Sequence, residues 1–171
     1  MALIQEDGNG LANANTYASI AEADAYATQR GWTSWLALSS QDKEKHLLLA
    51  MDYMRARYRG KWRGTRIRDA MALDFPRYDL YDVDGYLVAT NVVPADVKNS
   101  QIELAERSRT QSLIVDVAAG SSGALKSEIV EAGSVKRSRE WFGGKQQQPT
   151  FTAVQLYLKP YLLDGEALVR G

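Results

Sequence analysis

The chain has 171 residues, and its 21 lysines and arginines balance its 21 aspartates and glutamates. A chain of this length can bury roughly two thirds of its unfolded surface around one core, so we expect one domain with appendages. Zero net charge argues against the bulk basicity of sequence-independent nucleic-acid binders, and the lack of cysteine excludes disulfides, thiolate metal sites and cysteine nucleophiles. No apolar run reaches the length of a membrane span, and the first residues lack a signal-peptide pattern, so we expect a soluble, unexported protein.

The beginning of the chain predicts a polar arm followed by a helix. Residues 1–16 are rich in Gly and Asn, which indicates an extended arm or loop. The sequence SIAE at residues 19–22 matches a capping box, in which a Ser hydroxyl and a Glu carboxylate satisfy backbone donors at a helix start. We therefore predict a helix from Ile20 to about Arg30, ended by Gly31.

A second helix is predicted from about Ser40 to Gly60. Its apolar residues recur at spacings of three and four, which is typical of one buried helix face. That face comprises Leu47, Met51, Met54 and Tyr58. Arginines in the last turn complement the carbonyl end of the helix dipole. Residues 61–68 have no apolar period and are predicted to form a loop.

The middle of the chain predicts a turn-rich connection and a third helix. Residues 74–94 are dominated by Asp, Tyr, Gly and Pro, which favour turns. Pro94 suits the first position of a helix that we expect to run to about Val115. Its buried side is predicted to comprise Val97, Leu104, Ala105 and Ser108.

The last part predicts a β-hairpin, a linker and a final helix. Residues 125–131 and 135–142 have the pattern of two strands joined by a short turn. The sequence GGKQQQP at 143–149 is predicted to be a linker. Residues 151–163 are predicted to form an apolar helix that Pro160 kinks or ends.

These elements place the chain in the mainly α class, as a small helical bundle with a β-hairpin and extended terminal arms. We expect one domain made, in chain order, of an N-terminal arm (1–16), a helical bundle (17–118), the β-hairpin (124–142), the linker (143–149) and a C-terminal helix with its tail (150–171). The arm, the hairpin and the last helix would be poorly anchored in a monomer.

The most unusual stretch is RARYRGKWRGTRIR at 55–68, which has seven basic residues, no acid and two interleaved aromatic rings. The rest of the chain has 14 basic and 21 acidic residues, so positive charge is concentrated in this stretch and the remainder is acidic. Lysine and arginine neutralise phosphates and aromatic rings stack on bases, although a helix end followed by a solvated loop has the same composition. The candidate contact residues, for DNA or for protein, are Arg55, Arg57, Arg59, Lys61, Trp62, Arg63, Arg66 and Arg68.

No motif supports catalysis, a cofactor or a metal. His46 is the single histidine and lies beside an apolar helical triplet, which favours a boundary position over a catalytic one. Asp79, Asp82 and Asp84 lack calcium-loop spacing and a closing Glu, so we interpret them as part of an Asx-rich turn. The sequence GKWRGT lacks the Lys-Ser/Thr pair of a P-loop. We therefore expect no enzymatic activity and no cofactor.

Five motifs together resemble a family of tailed-bacteriophage proteins, the head-tail adaptors or head-completion proteins, many of which carry the name DnaT-like single-stranded-DNA-binding protein. The resemblance runs nearly end to end, and one departure is Phe75 where relatives commonly have Trp before Pro-Arg. The motifs are ANTYASIAEADAYATQRGWTSW (14–35), KEKHLLLAMDYMRARYRGKWRGTR (43–66), ALDFPR (72–77), VPADVKNSQIELA (93–105) and YLKPYL (157–162).

The resemblance implies a structural virion protein that forms a dodecameric ring between portal and tail, at the head-tail neck, and continues the DNA channel. Implied partners are other copies of the chain, the portal protein, a tail-side connector or tail terminator protein, and double-stranded DNA in the lumen. Assembly would take place in the host cytoplasm and involve no membrane. The alternative is a DnaT-like single-stranded-DNA-binding protein, and a third interpretation is a cellular interaction module.

The last helix is a candidate contact with the portal or with a neighbouring subunit, because its apolar residues extend around more than one face. The alternative is an ordinary last core helix that completes the bundle. The candidate contact residues are Phe151, Val154, Tyr157, Leu158, Tyr161 and Leu162.

Overall fold

The computed structural model of the chain describes residues 2–115, 125–131, 136–141 and 149–163. The chain divides into two units, Met1–Leu113 with Phe151–Gly171, and Ile114–Thr150. The predicted class, mainly α with a hairpin, is confirmed. The elements are α1 (Ile20–Gln29), α2 (Thr33–Leu36), α3 (Ser40–Tyr58), β1 (Thr65–Arg66), β2 (Arg77–Tyr78), α4 (Ala95–Arg107), β3 (Leu125–Glu131), β4 (Lys136–Trp141), α5 (Thr152–Leu158) and a 3-10 turn (Lys159–Tyr161).

The first two long helices begin and end at the predicted signals. The Ser19 hydroxyl accepts from the Glu22 N–H at 3.1 Å, and the Glu22 carboxylate accepts from the Ser19 N–H at 2.7 Å, which completes the capping box. Gly31 follows α1 with a φ of 66°. Ser39 caps α3, and Gly60 reverses the chain after it with a φ of 82°.

Helix α4 is shorter than predicted, since it ends at Arg107 and not near Val115. The reason is local, because the hydroxyl of Ser108 donates to a carbonyl of the last turn and so competes with helix continuation. The chain then turns, and Leu113 is buried again in the core. Pro94 precedes the helix as its cap and is not the first helical residue.

The N-terminal segment is anchored within its own chain, so the prediction that it would be poorly anchored in a monomer is wrong. Glu6 is buried, and its carboxylate accepts from the N–H groups of Gly8 (3.0 Å), Gly10 (2.8 Å) and Leu11 (2.9 Å). The Glu6 N–H donates in turn to the Thr16 carbonyl at 2.9 Å. The carboxylate satisfies backbone donors that would otherwise be buried without partners.

A buried amide joins this segment to the helices. The Gln101 side chain is fully buried on α4. Its oxygen accepts from the N–H groups of Tyr17 (2.8 Å) and Ala18 (3.1 Å). Its nitrogen donates to the Thr16 hydroxyl (2.8 Å) and the Leu47 carbonyl (3.0 Å). All the main bonding positions of the amide are therefore used, and α3, α4 and the chain entering α1 are held together.

Helix α5 completes the core of the first unit. Pro160 lies in the 3-10 turn that ends it, as the sequence predicted. The turn also contacts the loop at residues 61–68, because the Arg63 N–H donates to the Tyr161 carbonyl at 2.8 Å. The side chains buried in the core are Phe151, Val154, Leu158 and Tyr161. The helix thus has the packing of a last core helix.

The second unit contains the predicted hairpin, with antiparallel pairs from Ser127↔Glu140 to Glu131↔Lys136 and a register irregularity between Leu125 and Ser127. The predicted turn at 132–134 lies outside the described residues, as does the predicted linker at 143–149 except for its last residue. Among the described helices, none is long and apolar enough to cross a membrane.

Two leucines of α5 provide a matched test of this packing. Leu158 is fully buried, whereas Leu156 is 66 % exposed. We expect Leu158→Ala to lower the free energy of unfolding by about 2–5 kcal/mol, because it leaves a cavity in the core. Leu156→Ala should change it by less than about 0.5 kcal/mol. Urea unfolding followed by circular dichroism measures both, and equal effects would contradict the burial of α5.

Candidate nucleic-acid interface

The basic stretch forms a helix end and a rigid loop. Arg55 and Arg57 lie in the last turn of α3, and Arg59 is its C-cap. The loop then passes through Gly64 into β1, which pairs with β2 in the register Thr65↔Tyr78 and Arg66↔Arg77. A Cβ on Gly64 would lie 2.2 Å from the Tyr78 carbonyl oxygen, so the close approach of the two strands requires glycine.

Trp62 is part of the core, which corrects its prediction as a contact residue. Its side chain is 4 % exposed and packs edge-on against Phe75, with ring centroids 4.9 Å apart. A second ring, Tyr58, lies 5.6 Å away and is also buried, and burial raises its pKa to about 12. The two aromatic residues that suggested base stacking are therefore unavailable to a ligand in this fold.

Asp74 stabilises the loop through hydrogen bonds of its side chain and its backbone. This carboxylate is buried and accepts from the Trp62 indole N–H at 3.2 Å, with the Arg59 guanidinium 3.8 Å away. The Asp74 N–H donates to the hydroxyl of Tyr17 at 3.0 Å. Burial and the nearby Asp74 charge raise the pKa of Tyr17, so this hydroxyl stays neutral.

Arg77 binds two backbone carbonyls of the loop and that of Asp74, and sequence reasoning did not include it among the candidates. Its guanidinium donates to the carbonyls of Arg63 (2.6 Å), Gly64 (2.7 Å) and Asp74 (2.9 Å). Burial lowers the pKa of Arg77, and the Asp74 charge partly opposes this. The fork geometry of arginine suits such multiple contacts, and its place in the motif ALDFPR was the available signal.

Around these residues lies an open groove of about 500 Å³, which we call the arginine groove. It is lined by Arg59, Gly60, Gly64, Thr65, Arg66, Arg68, Asp69, Asp74 and Arg77. Four arginines face two aspartates, so the groove carries a net positive charge. Arg68 is exposed and makes no hydrogen bond or ion pair with the described residues, which leaves its guanidinium available to an anion.

An exposed aromatic residue follows the groove residue Arg77 in β2. Tyr78 is 47 % exposed and pairs with Thr65, so these two side chains share one face of the strands, whereas the paired Arg66 and Arg77 share the other face. Sequence reasoning missed Tyr78 because it lies in the turn-rich segment, outside the basic stretch. Exposed aromatic rings and cationic side chains are the residue types to which single-stranded nucleic acids bind.

The remaining basic residues lie elsewhere. Arg57 and Lys61 line a second groove, toward α5, while Arg55 lines neither groove. Arg63 contributes its backbone to the contacts described above. The seven charges of the stretch are thus divided among separate surfaces.

The predicted contact residues of α5 are mostly buried. Phe151, Val154, Leu158 and Tyr161 lie in the core, and Tyr157 and Leu162 are partly buried. A portal or subunit contact through the four buried side chains would require α5 to leave the bundle.

The acidic cluster forms a turn, as expected. The Asp82 carboxylate accepts from the N–H groups of Asp84 (3.0 Å) and Tyr86 (2.8 Å), which is an Asx-type arrangement. The described residues contain no cluster of metal-ligating side chains. His46 is half-buried and its Nδ1 lies 2.7 Å from the Ser108 hydroxyl, and burial lowers its pKa.

Comparison with known proteins gives one match. A protein-family model described as "Putative DnaT-like ssDNA binding protein" matches residues 1–171. No curated protein and no solved structure matches the chain. The family match confirms the DnaT-like part of the resemblance found in the sequence, while the adaptor part stays a prediction.

The buried position of Trp62 predicts how substitution of this residue changes the stability of the fold. We expect Trp62→Ala to lower the free energy of unfolding by about 3–5 kcal/mol, since a large buried side chain is removed. Trp62→Phe keeps much of the packing and should cost less. Thermal unfolding of both variants measures this, and a Trp62→Ala protein as stable as the parent would contradict the core position.

Proposed function

The chain belongs to the DnaT-like single-stranded-DNA-binding family, and from this membership we propose that it binds single-stranded DNA in the arginine groove. The observation that carries the proposal is the set of four arginines that line the groove, of which Arg68 is exposed. Tyr78, which is 47 % exposed, follows the groove residue Arg77 in β2. Phosphates would lie along the guanidinium groups, and a base would stack on the tyrosine ring.

The groove is preorganised for this role. Arg77 and Asp74 hold the loop through buried contacts, so little backbone freedom remains to be lost on binding. Arg66 is oriented by donation to the Met71 carbonyl at 3.1 Å. Arg68, which makes no such bond, is the groove arginine best able to contact a phosphate.

The experiment is a fluorescence anisotropy titration of a labelled oligo(dT) at several salt concentrations. Because the seven basic residues are divided among separate surfaces, we expect a log–log salt slope of about −2 to −3, at roughly −0.7 per neutralised phosphate. Arg68→Ala should weaken binding and reduce the slope by about 0.7. Tyr78→Ala should weaken binding by about tenfold, and Tyr78→Phe should retain it.

Arg55→Ala is the matched control, since Arg55 is a basic residue of the same stretch outside the groove. It should change the affinity by no more than about twofold. Loss of binding in Arg55→Ala equal to that in Arg68→Ala would assign the affinity to diffuse charge, and unsaturable binding by the parent protein would overturn the proposal.

A second candidate function is the head-tail adaptor suggested by the sequence motifs. It is supported by exposed apolar side chains at 81–87, which favour protein contacts over a solvated surface. In this role the chain would be a structural virion protein at the head-tail neck, in a ring between the portal and a tail-side connector or terminator, with DNA in the channel. Neither function requires catalysis or a cofactor.

Light scattering tests this second candidate. The free protein is expected to be a monomer or small oligomer, and addition of purified portal should produce a closed ring of defined mass on the portal, because the template fixes the rotation between subunits. A portal that recruits no protein would contradict the adaptor function and leave the DNA-binding proposal intact.

A further inference from the structure

The segment of residues 79–87, which we call the acidic tip, is an exposed hairpin with apolar and acidic side chains. Its exposed fractions are 52 % for Tyr81, 79 % for Val83, 72 % for Tyr86 and 60 % for Leu87. Three aspartates lie among them. Their charge disfavours a phosphate backbone, whereas exposed tyrosines beside aliphatic side chains are typical of protein interfaces.

The acidic tip is held in one conformation. Tyr81 and Leu87 form an antiparallel bridge, and the Asp82 N–H donates to the Tyr86 carbonyl at 2.9 Å. Next to this bridge, the Val88 N–H donates to the carbonyl of Leu80, whose side chain is fully buried. The exposed rings therefore project from an anchored turn, which lowers the entropy cost of binding.

A second surface of the same chain has the opposite character. It is the groove of about 410 Å³ between the end of α3 and α5, which we call the cationic groove. Leu156 and Leu163 form exposed apolar parts of it. Its residues are Arg57, Tyr58, Lys61, Thr152, Gln155, Leu156, Lys159, Leu162 and Leu163. Its three cations form no ion pair with any residue that the structure describes.

We propose that the acidic tip of one copy binds in the cationic groove of a second copy. Three carboxylates would face three cations, and the tip's tyrosines and aliphatic side chains would cover the exposed leucines. The contact joins two different surfaces, so each pair of chains leaves one tip and one groove unoccupied. Further copies can bind there, and the assembly then closes into a ring or extends as a filament. Neither surface contains Arg68 or Tyr78, so the inference is independent of the proposed DNA binding.

A charge-swap experiment tests the contact. Asp84→Lys changes the tip without removing a turn bond, because Asp84 contributes its backbone N–H. Lys159→Glu changes the groove at an exposed position. Each variant alone should self-associate about tenfold or more weakly than the parent in sedimentation equilibrium, because like charges then face each other.

An equimolar mixture of the two variants should regain the parent affinity to within about threefold. In the mixture, the tip of the Asp84→Lys chain meets the groove of the Lys159→Glu chain, and the unaltered tips meet the unaltered grooves. The double variant in one chain should behave in the same way. Lys45→Glu, an exposed change on α3 outside the cationic groove, is the control and should leave association unchanged.

Three results would overturn the proposal: a parent that stays monomeric at millimolar concentration, single variants that associate as the parent does, or a mixture that fails to regain affinity. Circular dichroism and oligo(dT) binding are measured on the same samples. Both should match the parent, so a failure of self-association is distinguished from misfolding and from a failure of the DNA-binding proposal.

Discussion

The buried amide of Gln101 is the contact on which the other parts of this structure depend. It joins α4 to the α3 carbonyl of Leu47 and to the backbone of Tyr17 and Ala18, just before the cap of α1. Loss of this side chain would leave the N–H groups of Tyr17 and Ala18 without this partner, at about 1–3 kcal/mol for each group. By fixing the backbone at Tyr17, the amide also fixes where the tyrosine side chain points.

The position of Tyr17 connects the helical core to the basic loop. The Tyr17 hydroxyl accepts from the backbone N–H groups of Asp74 (3.0 Å) and Phe75 (3.2 Å). Asp74 then accepts from Trp62, and Arg77 binds the loop carbonyls. Trp62, which the sequence suggested as a DNA contact, therefore stabilises the loop. The groove beside it has a fixed backbone and accessible guanidinium groups.

The distribution of charge explains how a neutral chain can carry separate surfaces of opposite charge. The arginine groove carries four arginines against two aspartates, the cationic groove carries three cations, and the acidic tip carries three aspartates. Charges of opposite sign on separate parts of one molecule direct association and orientation more than they add affinity. The proposed DNA binding and the proposed self-association therefore rest on different residues and can be tested separately.

Local sequence patterns determined most of the helix and hairpin positions, because capping boxes, glycine stops and apolar periods act over a few residues. They also identified the basic stretch. Only the tertiary structure decided that Trp62 is buried, that Arg77 lines the groove, and that Glu6 anchors the N-terminal segment. These outcomes depend on contacts between residues distant in sequence, and composition and spacing carry no information about which distant partner a side chain meets.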